Sequence, residues 1–123
     1  MVARLTPEQR RWRSFSERQF QSWVTDLATA YGWRWWHHND SRKQVRPGVF
    51  VGDKDAAGFP DLTLCHPTFG VLFAELKREG EVPTPKQVEC HEALRAARAD
   101  VRVWWPHDEA AIMSVLSSVR SHP

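Results

Sequence analysis

Two short apolar runs, DLTLC at 61–65 and VLFAELK at 71–77, flank a five-residue connection, HPTFG, and limit the fold of this chain more tightly than anything else in it. Runs of this length, bounded by turn residues, predict an antiparallel β-hairpin. Thr84-Pro85-Lys86-Gln87 then announces a helix over 85–99, with proline at its first position and Thr-to-Gln capping-box spacing. VRVWW at 101–105 is again a strand, which Pro106 ends. Strand 71–77, helix 85–99 and strand 101–105 make one right-handed βαβ crossover, so the sheet holds both antiparallel and parallel pairs with helices on its faces. That is an α/β architecture.

The flanking segments fit around this unit. Phe20, Trp23, Val24, Leu27, Ala28 and Tyr31 recur at helical spacing and predict a helix over 14–31, capped by a Ser14–Glu17 box and stopped at Gly32. Upstream, Thr6-Pro7-Glu8-Gln9 has the pattern of a short preceding helix. WRWWHH at 33–38 has strand character, and 39–59 reads as a long connection in which GVFV at 48–51 is a candidate edge strand. Asp108 is placed to cap a last helix whose buried stripe is Ile112, Val115, Leu116 and Val119. With 123 residues, 41% of them hydrophobic, one core suffices: a single domain over 14–123 with an N-terminal extension over 1–13. Most of the seven Trp are expected in that core or at a dimer interface.

Composition excludes several classes of protein. Cys65 and Cys90 are too few for a disulfide framework and lack zinc-clip spacing, so they read as buried thiols in a reducing compartment. The N-terminus lacks a secretory h-region and no apolar run approaches the ~20 residues of a membrane span, which predicts a soluble, cytoplasmic protein. A net charge of +2 does not by itself demand a polyanionic partner. The distribution of charge is more telling: Arg10, Arg11, Arg13 and Arg18 crowd the first helices, and Arg42, Lys43 and Arg46 lie close together.

Three charged residues stand in or beside the strands of the hairpin. Side chains alternate along a strand, so Val71, Phe73, Glu75 and Lys77 share one face, with Glu75 and Lys77 about 7 Å apart along it. Asp61 and Glu75 are symmetric about residue 68, at the centre of the connection, so the hairpin sets them level and lets their carboxylates converge. Such a pair raises its own pKa values unless a cation sits between its members. Hard oxygen donors with open water positions suit Mg²⁺ or Mn²⁺, and Lys77 on the same face can hold a water or stabilise an anionic transition state. Pro-Asp alone is an ordinary turn and Glu-Leu-Lys alone an ordinary solvated strand end. Charges of the right types at level positions on paired strands form a different pattern.

Pro60-Asp61 followed by Glu75-Leu76-Lys77 resembles the PD-(D/E)XK nuclease signature. The wider frame resembles the virus-type replication-repair nuclease (VRR-NUC) domain, in its small stand-alone phage and bacterial forms. It consists of an amphipathic first helix, Gly-Trp, a His-x-x-Asp-Ser-Arg stretch within 37–42, Gly-Phe-Pro-Asp-Leu, Phe-Ala-Glu-Leu-Lys, Thr-Pro-x-Gln and Val-x-Val-Trp-x-Pro. The likeness runs from about residue 16 to 116. The stretch from Gln44 to Ala57 is longer than the link in small members of the family.

The resemblance implies a restriction-endonuclease-like core in which Asp61, Glu75 and the backbone carbonyl of Leu76 hold Mg²⁺ or Mn²⁺ and Lys77 is the catalytic lysine. Glu17 matches the family's N-terminal acidic position and is equally the partner of Ser14 in a capping box. Gln87 matches the glutamine that approaches the scissile phosphate or the metal's waters; capping is its competing role, and one conformation is not expected to serve both. His38, Asp40, Ser41 and Arg42 fall near the DNA entrance, with Lys43 and Arg46 as further DNA contacts. His91, on the face of Gln87, could line the site but reads first as a satisfied, half-buried histidine. The implied activity is metal-dependent hydrolysis of DNA phosphodiester bonds by a homodimer, structure-specific in the manner of a Holliday-junction resolvase. Flap, nicking or nonspecific cleavage are alternatives, as is a noncatalytic nucleic-acid-binding module. No glycine-rich phosphate loop supports a nucleotide hydrolase.

Overall fold

The computed structural model describes residues 4–38, 43–46, 49–51 and 58–117, with the backbone alone for 43–46 and 49–51. Two helices open the chain, α1 (Pro7–Ser14) and α2 (Glu17–Ala30), each begun by a reciprocal capping box, Thr6 with Gln9 and Ser16 with Gln19. The expected Ser14–Glu17 box is therefore displaced by two residues. Ser14 is spent as the last residue of α1, where its hydroxyl donates to the Arg11 carbonyl, and Ser16, in extended conformation, becomes the cap. On α2, Phe20, Val24 and Ala28 are buried, with Trp23 and Leu27 packed beside them; Tyr31 is 41% exposed and leaves the predicted stripe. Gly32, at φ 87°, supplies the left-handed residue that lets the chain turn out of the helix.

Strand β1 (Arg34–His37) follows, then β2 (Lys43–Arg46), β3 (Val49–Val51), β4 (Leu62–His66) and β5 (Gly70–Leu76). Helix α3 (Pro85–Ala96), β6 (Asp100–Trp104), a 3-10 turn at Pro106–Asp108 and α4 (Glu109–Ser117) complete the described chain. The main sheet has the order β1-β4-β5-β6; its first two pairings are antiparallel and β5–β6 is parallel. The fold is thus α/β, a four-stranded mixed sheet flanked by helices. GVFV was expected as a short edge strand; Val49–Val51 is one, paired with β2 in a separate two-stranded sheet that was not expected. Among the described residues no helix is long and apolar enough to cross a membrane.

Alternation along the strands decides which layer each residue joins. Leu62 and Leu64 of β4 with Leu72, Ala74 and Leu76 of β5 are buried in one cluster with Phe20, Val24 and Ala28 of α2 and Ile112 and Leu116 of α4. Trp33 and Trp104 join that core, and the Trp33 indole donates to the Leu116 carbonyl at 2.9 Å. Trp35 and Trp36 do not: they are 37% and 49% exposed, because β1 is an edge strand of the main sheet. Asp108, expected as the cap of α4, accepts from the Trp105 backbone N–H and so closes the 3-10 turn before that helix. Val119 lies outside the described residues. Cys65 and Cys90 are free thiols, half-buried rather than buried.

Gly58 ties the start of the hairpin to α3. Its φ is 90°, and a Cβ there would stand 2.6 Å from the Lys86 carbonyl oxygen and 3.1 Å from the Gln87 nitrogen, in the first turn of the helix. Gly58→Ala is expected to cost about 1–3 kcal/mol through the left-handed backbone alone, before the displacement of that turn is added. A lower denaturant midpoint with an unchanged slope would show it.

Candidate active site

The face of β5 opposite the core carries Phe73, Glu75 and, just beyond the strand, Lys77. Leu62 pairs with Ala74 across the hairpin, so Asp61, one step before β4, comes opposite Glu75 as the symmetry about residue 68 predicted. Asp61 Oδ2 accepts from the Leu76 backbone N–H at 2.8 Å, which fixes its carboxylate against the end of β5. Phe59, two residues earlier, meets Phe73 edge-on at 5.6 Å between ring centroids and meets His38 edge-on at 5.4 Å.

Glu75 is 1% exposed and is addressed from several sides. Gln87 Nε2 donates to its Oε2 at 3.1 Å, and the Lys77 ammonium stands 3.7 Å from the same oxygen. His91 Nε2 lies 3.7 Å from Oε1; both atoms are buried and neither has a hydrogen-bond partner. The carboxyl pKa is pushed up from 4.5 to about 8, by burial first, then by the charge of Asp61 and a hydrogen bond with it. Lys77 opposes the rise and Glu17 adds the smallest contribution to it. Glu17 is exposed at the first position of α2, close enough for its charge to act on Glu75. Burial lowers the His91 pKa, helped by Arg95 and Lys77, while the charge of Asp61 raises it.

Gln87 serves both of its competing roles in one conformation. Its Oε1 accepts from the Thr84 N–H at 2.8 Å, completing the capping box of α3, while its Nε2 reaches Glu75. An amide has an acceptor end and a donor end, and the expectation that one role would preclude the other overlooked this. His91 is likewise not a satisfied, half-buried histidine: it is 2% exposed with an orphaned ring nitrogen. No short motif marks that residue. Its signal is only the four-residue step from Gln87, one turn along α3.

Among the described residues, no group of three or more His, Cys, Asp or Glu side chains closes into a geometry that would hold a metal ion. What the fold assembles is a carboxylate pair, with the Leu76 backbone N–H on Asp61 and the side chains of Gln87, Lys77 and His91 around Glu75. The pair nevertheless fits a hard divalent cation. One buried oxygen of Glu75 is unpartnered, and burial, then the proximity of Asp61, hold a proton on Glu75 that a cation would displace. Mg²⁺ keeps several waters and commonly takes only one or two protein carboxylates.

Comparisons with protein-family models, with curated proteins and with solved structures each find no match.

Of the residues expected at a DNA entrance, His38 is exposed; its Nε2 is 2.9 Å from the Thr63 hydroxyl and its N–H donates to the Asp61 carbonyl at 2.6 Å. It stands beside the carboxylates through Asp61 and Phe59. Asp40, Ser41 and Arg42 lie outside the described residues. Lys43 and Arg46 are the first and last residues of β2.

Proposed function

We propose that the protein is a divalent-metal-dependent DNA endonuclease with a PD-(D/E)XK core, related in its motifs to the VRR-NUC domain. One observation carries the reading: Asp61 and Glu75 meet level across a hairpin, on the sheet face opposite the core, with Lys77 beside them. Asp61, Glu75 and the Leu76 carbonyl would hold Mg²⁺ or Mn²⁺, with Glu17 joining directly or through water. Bound there, such an ion lowers the pKa of water and neutralises charge on a phosphoryl oxygen.

The chain's own groups prepare that site. Asp61 is held by the Leu76 N–H, so its orientation does not depend on a ligand. Gln87, locked by its cap on Thr84, keeps Oε2 of Glu75 in place. Lys77, with its side chain 12% exposed, keeps a positive charge at the mouth of a largely dry site, where it favours a dianionic phosphorane over a monoanionic phosphodiester. The arginines of α1 and α2 together with His38, Ser41, Arg42, Lys43 and Arg46 would bind the DNA backbone. By analogy with the family, the products are a 5′-phosphate and a 3′-hydroxyl. A homodimer would make the paired cuts of a symmetric four-way junction, in the cytoplasm of a bacterial or phage-infected cell.

Incubation with labelled linear, flapped and four-way DNA, with and without Mg²⁺ or Mn²⁺, tests the proposal. Cleavage is expected only with the ion, and fastest on the junction. Faster cutting of flaps or linear duplex would keep the chemistry and change the specificity. Salt-sensitive binding without any cutting would make the protein a noncatalytic module.

A further inference from the structure

We propose that His91 is the positioning residue that completes a two-point hold on Glu75, and that cation binding depends on it. This rests on the metal-site reading above and goes beyond it. Gln87 and His91 sit four residues apart on α3, so they project from the same side of the helix. Each addresses a different oxygen of one carboxylate: Gln87 Nε2 reaches Oε2 at 3.1 Å, and His91 Nε2 faces Oε1 at 3.7 Å. The two partners that lack a hydrogen bond are these same two atoms, Oε1 and Nε2, and both are buried. Buried polar atoms in folded proteins nearly always find a partner, and these two face each other at 3.7 Å. A shift of under 1 Å brings the contact into hydrogen-bond range. With its Nε2 protonated and the ring neutral, His91 donates to ionised Glu75 and fixes the carboxylate plane from the α3 side. Partners that orient a ligating carboxylate in this way commonly change metal affinity by about 10–100-fold.

Direct ligation by His91 is disfavoured, since the described residues form no three-donor group around an ion. The role is instead that of a donor whose reach matters. Mn²⁺ affinity, measured by calorimetry on the purified full chain, should fall about tenfold or more in His91→Leu and stay within about threefold of wild type in His91→Gln, whose amide nitrogen can reach Oε1. Thermal unfolding in chelator shows whether each variant is folded. If His91→Leu does not fold, His91→Asn, with a donor too short to reach, takes its place and should also lose affinity. Equal affinity in wild type and the donor-deficient variant would overturn the proposal. So would equal losses in His91→Leu and His91→Gln, which would mark a packing role. A directly bound nitrogen in pulsed EPR of the Mn²⁺ complex, absent from His91→Gln, would overturn it in favour of ligation. Failure of wild type to bind Mn²⁺ at all would remove the metal-site reading, and this proposal with it.

Discussion

Asp61→Asn is expected to reduce metal-dependent cleavage by about a hundredfold or more, because loss of a mere outer partner of a metal ligand already costs about 10–100-fold. The same change should make the metal-free protein more stable at pH 9. Asparagine keeps an oxygen that can accept from the Leu76 N–H, so the restraint on this side chain survives. What disappears is a negative charge beside Glu75, and above pH 8 that charge faces an ionised, buried neighbour. A gain of about 1 kcal/mol would raise Tm by roughly 4 °C in a chain of this length. The gain should shrink as pH falls below 8, where Glu75 carries a proton and repels Asp61 less. Thermal unfolding in chelator at pH 7 and pH 9, beside a cleavage assay with Mn²⁺, measures both halves. A variant that cuts as wild type does would remove Asp61 from the site. Salt-sensitive binding to DNA should be unchanged, since it draws on arginines and lysines elsewhere.

The hairpin was the most legible part of the chain because two independent constraints coincide there. Period-two alternation assigns the faces, and the five-residue connection sets the register, so the sequence alone puts Asp61 and Glu75 level. The crossover to β6 followed from chain connectivity, which leaves parallel strands no shorter route. Capping was legible in kind and ambiguous in place. Ser14 and Ser16 each have an acidic or amide side chain three residues on, and only the length of α1 decides which serine begins α2. Val49–Val51 was legible as an edge strand, while its partner β2 was missed because it is short and does not pair with the main sheet. Trp35 and Trp36 looked like core on composition, but residue type does not say which strand lies at the margin of a sheet. His91 was beyond reach for a related reason. An orphaned nitrogen exists only once a helix has been laid across a sheet, and that contact joins residues 16 positions apart.

Raising the pH from 7 to 9 is expected to weaken the metal-free fold and strengthen its hold on Mn²⁺. Glu75 has its pKa raised from 4.5 to about 8, by burial first and by Asp61 second. Between those values the native chain keeps a proton that the unfolded chain has released, so native binds more protons and stability falls as pH rises. The stability tied to this group is fully present below 4.5 and gone once pH has passed through 8. His91, whose pKa is lowered from 6.5 chiefly by burial, acts in the opposite sense only at lower pH, and the Cys90 thiol, raised from 9.0 chiefly by burial, adds to the fall only near the top of the interval, so Glu75 dominates from 7 to 9. A cation competes with the same proton. Below pH 8 its apparent affinity should drop by up to about tenfold per unit of pH if one proton is displaced, and calorimetry in two buffers of different ionisation enthalpy counts that proton. Glu75→Gln removes the titrating group: its Tm in chelator should stay nearly flat from pH 7 to 9, and Mn²⁺ should no longer raise it. A wild-type Tm that does not change over this interval would mean that Glu75 is already ionised at pH 7, paired with Lys77 strongly enough to offset both its burial and its neighbour Asp61.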